Sequence, residues 1–132
     1  MIEVFCEFRL QSAHRLENVP AEHKCSRMHG HSYRIIITVA GPIDPKLGWI
    51  IDYAEIDYAW RKYVFAVLDH QDINAMFDGE TEGHHPPMGN TTSEWMAAWI
   101  ASEMQDGLPN EITVTSVEVW ETDSFGARWR KS

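Results

Sequence analysis

The chain has 132 residues, a net charge of −9 and an apolar content of 44%, values typical of a single globular domain over residues 1–132. No apolar run approaches the roughly 20 residues of a membrane-spanning helix, and the scattered lysines and arginines argue against a nucleic-acid interface. The first residues lack the features of a secretion signal, so we expect a cytoplasmic protein whose two cysteines, Cys6 and Cys25, are reduced.

Two alternating stretches near the N-terminus predict a β-hairpin. From Val4 to His14, apolar side chains occupy every second position, and the same phase places Ser12 and His14 on the inner face. A second alternating run starts near His29, and His31 shares its inner phase. The two strands are therefore expected to bring histidines to the same end of one otherwise apolar face.

Two amphipathic helices are predicted next, each introduced by a capping sequence. Asp52 and Glu55 form a capping-box pattern before a helix over residues 53–68. A second capping box, Thr91-Thr92-Ser93-Glu94, opens a helix that ends near Gly107. The apolar stripes of the two helices are predicted to contain Ile56, Trp60, Tyr63, Val64 and Val67, and Trp95, Ala98 and Trp99.

A second hairpin is predicted at the C-terminal end. It consists of a β-branched, alternating strand over residues 112–122, a turn at 123–126 and a short strand over 127–131. Residues 69–90 are predicted to be mostly irregular. The order ββααββ predicts an α+β fold, in which two helices pack on one face of a four-stranded antiparallel sheet.

Three histidines in this pattern, His14, His29 and His31, are candidate metal ligands. A single histidine at a strand end is usually only a hydrogen-bonded polar residue, but three in phase on adjacent strands favour a metal site. Neutral imidazoles suit Zn²⁺, and three protein ligands leave a fourth position open for water or substrate. The pattern therefore predicts a zinc site, which is of the catalytic kind if the fourth position stays open.

Cys25 lies four residues before His29, and two roles are open to it. It could be the fourth ligand that closes a structural zinc site. Alternatively, it could be a nucleophile or base that is activated by nearby zinc and by Lys24 or Arg27. The residues alone do not choose between these roles. Cys6 alternates with apolar strand residues and is most simply a core residue.

Further ionisable residues are candidates for proton transfer and ligand binding. Asp69 directly precedes His70 and could orient it for proton transfer, although a histidine that only interacts with the last helical carbonyls fits equally well. Glu121 continues the inner phase of the third strand, where a carboxylate needs a partner such as the N–H edge of a heterocycle, unless it lies beyond the strand in solvent. Surface positions are predicted for the remaining loop histidines, His23, His84 and His85.

Short motifs that contain these residues follow one another along nearly the whole chain. They are Ser12-Ala13-His14-Arg15-Leu16, Cys25-x-x-x-His29-Gly30-His31-Ser32-Tyr33, Gly48-Trp49-Ile50-Ile51-Asp52-Tyr53, Leu68-Asp69-His70, Asn90-Thr91-Thr92-Ser93-Glu94 and Glu121-Thr122. In this order they resemble the 6-pyruvoyltetrahydropterin synthase family. The short gap between Cys25 and His29 resembles the bacterial 6-carboxytetrahydropterin synthase branch, whereas the metazoan pyruvoyl branch usually has a longer one. Many members have proline where this chain has Thr91.

The resemblance implies a T-fold (tunnelling fold) and a homo-oligomer. In this fold, three ββααββ subunits close a barrel, two trimers typically stack, and the active sites lie at subunit interfaces. The resemblance also assigns the thiol to catalysis rather than to the metal. The family's functional residues fall on His14, His29 and His31 for zinc, on Cys25, Asp69 and His70 for catalysis, and on Glu121 for pterin binding.

The implied reaction converts 7,8-dihydroneopterin triphosphate to 6-carboxy-5,6,7,8-tetrahydropterin, with release of acetaldehyde and triphosphate, in queuosine and related 7-deazaguanine biosynthesis. Zn²⁺ is the implied cofactor, and Arg15, Lys24 and Arg27 are candidates for contacts with the triphosphate. One alternative is a 6-pyruvoyltetrahydropterin synthase that acts on the same substrate. Another is a non-catalytic, pterin-binding T-fold module with structural zinc. The loop at residues 84–87 matches none of these motifs and could modify access or assembly.

Overall fold

A four-stranded antiparallel sheet forms the centre of the computed structural model, which describes residues 1–77 and 90–132. Its strands, in spatial as in chain order, are β1 (Glu3–His14), β2 (His29–Ala40), β3 (Thr113–Trp120) and β4 (Gly126–Arg130). The predicted α+β architecture is confirmed, with both hairpins. The predicted loop at 84–87, with His84 and His85, lies outside the described residues.

The register of β1 against β2 aligns the histidines as predicted. His14 pairs with His29 across the two strands, and Ser12 pairs with His31. Since side chains alternate between the faces of a strand, all four point to the inner face. His14 and Ser12 are buried there, while His29 and His31 are half-buried. The end of the hairpin is therefore polar, whereas the rest of its inner face is apolar.

The predicted helix over 53–68 consists of three consecutive segments. They are α1 (Tyr53–Trp60), a π-helical stretch (Arg61–Phe65) and α2 (Ala66–Leu68). The carboxylate of Asp52 caps the first segment by accepting a hydrogen bond from the backbone N–H of Ala54 at 2.9 Å. A π-turn holds more residues than an α-turn and so rotates the helix face. Accordingly Leu68 is fully buried, whereas Val67, predicted for the apolar stripe, is only half-buried.

The prediction of mostly irregular backbone over 69–90 needs one correction, because it contains the short helix α3 (Ile73–Phe77). The Asp72 carboxylate accepts hydrogen bonds from the backbone N–H groups of Asn74 at 3.1 Å and Ala75 at 3.4 Å. These bonds satisfy N–H groups that have no partner within a helix. A helix of this length is too short for its apolar periodicity to be recognised in the sequence.

The long helix α4 (Ser93–Gly107) begins one residue later than its predicted capping box implies. Its N-cap is Thr92, whose hydroxyl accepts a hydrogen bond from the backbone N–H of Trp95 at 3.2 Å. Thr91 is instead fully buried in front of the helix. Glu94 is consequently the second residue of the helix rather than the third, and its side chain is exposed.

The core lies between the inner face of the sheet and the helices. On α4 the buried face is centred on Met96 and Ile100, whereas Ala98, predicted for the apolar stripe, is exposed. None of the helices within residues 1–77 and 90–132 has the length and apolar character needed to cross a membrane. The largest fully buried apolar side chains include Leu10, Tyr33, Ile35, Ile37, Ile56, Leu68, Ile73, Met96, Ile100 and Met104.

Candidate active site

Three histidines form a compact cluster at the polar end of the β1–β2 hairpin. His14, His29 and His31 offer ring nitrogens that all lie within 4.8 Å of one another. Their rings stand edge to face, with centroids 4.6, 5.2 and 4.8 Å apart for the three pairs. Nitrogen atoms at this spacing can bind one metal ion between them.

Hydrogen bonds on the far side of two rings direct the remaining nitrogens inwards. Nδ1 of His14 lies 2.7 Å from the Thr91 carbonyl oxygen, and Nδ1 of His29 lies 2.8 Å from the Arg27 carbonyl oxygen. Since a carbonyl only accepts, both Nδ1 atoms carry the proton, and each Nε2 keeps a free lone pair. Nε2 of His31 is buried without a hydrogen-bond partner. The three residues therefore fit a metal ion that prefers imidazole nitrogen, such as Zn²⁺.

Burial also favours the neutral form of two of these histidines, His14 and His31. It is the main cause that lowers the pKa of His14, and the neighbouring His29 and His31 act in the same direction. The Thr91 carbonyl and the charge of Glu121 oppose this effect without overcoming it. Burial likewise lowers the pKa of His31. Because a metal ligand must be unprotonated, these shifts help to prepare the cluster for an ion.

A cavity of about 640 Å³ opens beside the histidine cluster, a size suited to a small organic molecule. Cys25 and Glu121, both predicted to belong to the site, line this cavity together with the histidines. Other residues of its lining are Leu16, Lys24, Thr92, Ser93, Glu94, Thr122 and Phe125. The structure therefore brings five of the predicted site residues to a single concave surface.

Glu121 lies just past the end of β3, because the strand ends at Trp120 rather than at the predicted Thr122. It is nevertheless half-buried, and its backbone N–H donates to the carbonyl oxygen of Phe125 at 3.0 Å across a tight turn. Its charge adds to burial in raising the pKa of Tyr33, whose buried hydroxyl has no hydrogen-bond partner. The carboxylate thus faces the cavity from the end of the sheet.

Two residues of the cavity were assigned other roles in the sequence. Glu94 was interpreted as part of a capping box, but the N-cap at Thr92 leaves its carboxylate free to line the cavity. Phe125 was assigned only to a turn, where its ring is 73% exposed. If the N-cap is taken as Thr92 instead of Thr91, Glu94 no longer occupies the capping-box position, and the sequence then leaves it available for the cavity. No periodic signal marks Phe125, since turns have none.

Cys25 lies half-buried in a short 3-10 turn, Lys24–Ser26, that precedes β2. Nδ1 of His23 accepts a hydrogen bond from the Cys25 backbone N–H at 3.0 Å, so this exposed histidine supports the turn. Both cysteines are free, and Cys6 packs against the core as predicted. Among the described residues, the side chains close enough to share an ion are the three histidines, and Cys25 is not among them.

Asp69 and His70 form a hydrogen-bonded pair. Nδ1 of His70 lies 2.6 Å from one oxygen of Asp69, whose other oxygen accepts the backbone N–H of Gln11 at 3.0 Å. His70 has φ = 56°, in the left-handed region, which costs a non-glycine residue roughly 1–3 kcal/mol. A hydrogen bond of 2.5 Å from its backbone N–H to the Gln11 carbonyl holds this conformation. The ring is therefore oriented by the carboxylate.

His70, of the Asp69–His70 pair, and Cys25 belong to different cavities of one chain. His70 lines a second cavity, of about 690 Å³, together with Gln11 and Ser32. Gln11 and Ser32 belong to the outer face of the hairpin, whereas Ser12 and His31, which also line this cavity, belong to the inner face. Cys25 lines the first cavity, and His31 borders both. This separation agrees with the expectation, drawn from the family resemblance, that the active sites lie at subunit interfaces.

The three basic candidates for phosphate contacts have different surroundings. Lys24 lines the first cavity and is, within the described part of the chain, the only lysine or arginine to do so. The guanidinium of Arg15 instead forms an ion pair with Glu17 at 3.1 Å. Arg27 is exposed outside the cavity lining. A single chain therefore presents little positive charge at this cavity.

Comparisons with known proteins point to one family. The model of the family described as 6-pyruvoyl tetrahydropterin synthase matches residues 3–132. A 6-carboxy-5,6,7,8-tetrahydropterin synthase from Synechocystis sp. is 32% identical over 131 residues, 96% of this chain and 91% of the relative. A dihydroneopterin monophosphate aldolase from Pyrococcus furiosus is 28% identical over 102 residues, 75% of each chain. A human 6-pyruvoyl tetrahydrobiopterin synthase is 29% identical over 112 residues, 82% of this chain and 71% of the relative.

The fold comparison points to the same group. The solved 6-pyruvoyl tetrahydropterin synthase of Caenorhabditis elegans superposes with a TM-score of 0.81 at 22% identity, covering 99% of this chain and 96% of that one. At this identity the likeness shows the fold, which is the predicted T-fold. The family match over nearly the whole sequence shows more than the fold. This chain therefore belongs to the 6-pyruvoyl tetrahydropterin synthase family.

Proposed function

We propose that this chain is a zinc-dependent 6-carboxy-5,6,7,8-tetrahydropterin synthase. It converts 7,8-dihydroneopterin triphosphate to 6-carboxytetrahydropterin, acetaldehyde and triphosphate in the biosynthesis of queuosine or a related 7-deazaguanine. The observation that carries the proposal is the convergence of three inward-directed histidines, the Cys25 thiol and the Glu121 carboxylate on one cavity. The short spacing from Cys25 to His29 and the length of the match to the Synechocystis relative support the carboxy product.

The side chains that line the cavity have separate roles in binding and in proton transfer. Bound to His14, His29 and His31, zinc would supply Lewis-acid polarisation of the oxygens on the substrate side chain. Glu121 accepts hydrogen bonds from the N–H donors of the pterin and so fixes its orientation. Cys25, as a thiolate, removes a proton from the polarised side chain.

The second proton-transfer group comes from another subunit. Asp69 orients the His70 ring, which returns or relays a proton during the reaction. Since His70 and Cys25 line different cavities of one chain, a neighbouring subunit must present its own pair to the first cavity. The His70 side chain is 77% exposed, and so it can reach across an interface. This requirement favours a homo-oligomer, a trimer or a dimer of trimers.

The decisive experiment is incubation of the zinc-loaded protein with 7,8-dihydroneopterin triphosphate, followed by identification of the products. Carboxytetrahydropterin with acetaldehyde is the expected outcome, whereas a pyruvoyl product would select the related synthase activity. The monophosphate is assayed in parallel, because the Pyrococcus relative is named for that substrate. Binding of pterin without turnover of either compound would overturn the enzymatic proposal and leave a binding module.

A further inference from the structure

We propose that Thr91 and Asn74 are positioning residues that set the tautomer and the direction of the His14 ring, an inference that rests on the proposed metal site. The three side chains form a buried polar cluster behind the candidate ligands. His14 is 2% exposed, Thr91 is 0% exposed and Asn74 is 8% exposed. Buried polar groups need hydrogen-bond partners, and the contacts in this cluster are compatible with one assignment of donors and acceptors.

The arrangement starts from the backbone of Arg15, the residue after His14. Its N–H donates to Oδ1 of Asn74 at 2.8 Å, and its carbonyl oxygen accepts from Nδ2 of Asn74 at 2.9 Å. A backbone N–H can only donate and a carbonyl can only accept. The amide of Asn74 therefore cannot be flipped, although oxygen and nitrogen look alike in many structures. Its oxygen is fixed on the side of Thr91.

The fixed amide determines the direction of the next hydrogen bond. Oγ1 of Thr91 lies 3.4 Å from Oδ1 of Asn74. Since Oδ1 can only accept, the hydroxyl proton must point towards it. The lone pairs of Oγ1 then face Nδ1 of His14, which lies 3.2 Å away. The hydroxyl is thus an acceptor for the imidazole and cannot donate to it.

At Nδ1 of His14, two acceptors now converge. The Thr91 carbonyl oxygen lies at 2.7 Å and the hydroxyl at 3.2 Å, so Thr91 provides both acceptors for the same N–H. The imidazole must therefore carry its proton on Nδ1 and keep the lone pair on Nε2. His29 has only a backbone carbonyl, that of Arg27, in the corresponding place. His14 therefore has one more acceptor at Nδ1 than His29, as expected for a ligand that is held by outer hydrogen bonds.

The same contacts also hold the strand end that carries His14. The Asn74 amide bonds to both backbone groups of Arg15, and the backbone N–H of Ala13 donates to the Gln71 carbonyl at 3.0 Å. The hydroxyl of Ser12 also lies 2.8 Å from the Gln71 carbonyl oxygen, to which it can donate a hydrogen bond. Helix α3, through Asn74, and the residues just before it therefore fix the backbone, while Thr91 fixes the ring.

The test compares Thr91→Val, which removes the hydroxyl at nearly constant volume, with Thr91→Ser, which keeps it. Zinc affinity is measured by competition with a chromophoric chelator, and the tautomer by ¹⁵N NMR of the His14 ring in the metal-free protein. Because the Thr91 carbonyl still accepts the Nδ1 proton, we expect the valine variant to keep the Nδ1–H tautomer but to lose about tenfold in zinc affinity, since the ring loses its second acceptor. The serine variant should retain wild-type affinity and tautomer.

Thr92→Val is the matched control for zinc affinity, because it removes the hydroxyl that caps the same helix, whereas Nδ1 of His14 bonds to Thr91. It should lower thermal stability and leave zinc affinity unchanged, which separates positioning from a general structural effect. Wild-type affinity in Thr91→Val would overturn the inference. So would an Nε2–H tautomer of His14 in the metal-free wild type, even if the variants do not fold. Failure of the wild type to bind zinc would instead refute the proposed metal site.

Discussion

Cys25 and His70 line different cavities of the same chain, and His31 forms part of the boundary between them. Two groups that act on one substrate must be within hydrogen-bond reach of it, directly or through one water. In a single subunit, Cys25 and His70 line separate cavities and do not face one common binding space. If both residues take part in turnover, the functional unit contains at least two chains.

The first prediction is that two inactive variants restore each other. Cys25→Ala and His70→Ala should each lack turnover as pure oligomers. When they are unfolded together and refolded, mixed oligomers contain interfaces with an intact thiol on one chain and an intact imidazole on the other. We expect a fraction of wild-type activity to return in the mixture, measured as product formed per subunit.

The control mixes wild-type chains with a double variant that carries both substitutions. In this mixture, an interface between the two kinds of chain has either the thiol or the imidazole, but not both. Separately purified variants that are mixed without unfolding should stay inactive unless the subunits exchange. Absence of recovery in well-assembled mixed oligomers would show that both residues act within one chain. A conformational change would then have to bring them together.

The second prediction concerns the metal. His31→Ala removes the ligand whose Nε2 is buried without another partner. Metal affinity should fall by well over the roughly tenfold to hundredfold seen when only an outer hydrogen bond to a ligand is lost. Binding of a ligand to the folded state stabilises it, so a chelator should lower the melting temperature of the wild type but not of the variant. An unchanged metal content in the variant would contradict the three-histidine site.

The third prediction distinguishes the two roles that the sequence leaves open for Cys25. Cys25→Ala should abolish turnover and leave the zinc content of the purified protein unchanged, because the thiol lies outside the group of possible ligands. Metal content is measured by elemental analysis and turnover by product formation. Cys6→Ala, at a half-buried thiol that packs against the core, is the control for general effects of removing a cysteine. Loss of metal from the Cys25 variant would show that the thiol is a ligand.

Strand alternation predicted the part of the site that depends on local periodicity. Because side chains leave a strand with a period of two, the sequence placed His14, His29 and His31 on one face, and the register confirms this placement. Glu121 was also predicted to face inwards, although its strand ends at Trp120, two residues earlier than predicted. These predictions needed only short-range geometry and the pairing of neighbouring strands.

Other features depend on contacts between segments that are distant in the sequence. Asn74 and Thr91 meet behind His14 only because α3 and the start of α4 pack against the end of β1. The left-handed backbone of His70 depends on Gln11, which is nearly sixty residues away in the chain. Neither contact leaves a periodic pattern. The separation of His70 from Cys25 is likewise a property of the assembled sheet, not of either motif.

The last prediction concerns acid stability and rests on Glu118, on the face of the sheet away from the helices. Burial alone would raise its pKa, but hydrogen bonds from Nε1 of Trp120 at 2.8 Å and Nε of Arg128 at 3.0 Å outweigh this effect. The charge of Arg34, which stacks over the Trp120 ring at 4.6 Å, acts in the same direction. The pKa of Glu118 is therefore lower in the folded state than its ordinary value of 4.5.

A carboxyl with a lowered pKa binds fewer protons in the folded than in the unfolded state over this pH range. Its stabilising effect is therefore complete well above its unfolded pKa and is lost as the pH falls through its folded pKa. Glu118→Gln should unfold more easily than wild type at pH 7, by about 1–2 kcal/mol, since it loses hydrogen bonds to a charged group. The difference should shrink below pH 4.5 as the wild-type carboxyl becomes protonated.

The measurement is denaturant unfolding of the metal-free proteins at a series of pH values, so that loss of metal does not contribute. Glu7→Gln is the matched control on the same face, because Glu7 pairs with Arg9 at 3.2 Å and Arg34 at 3.7 Å with its side chain 44% exposed. Exposed ion pairs contribute little, so this variant should differ less from wild type at pH 7. A gap between Glu118→Gln and wild type that stays constant from pH 7 to below pH 4 would show that the carboxylate charge is not the cause.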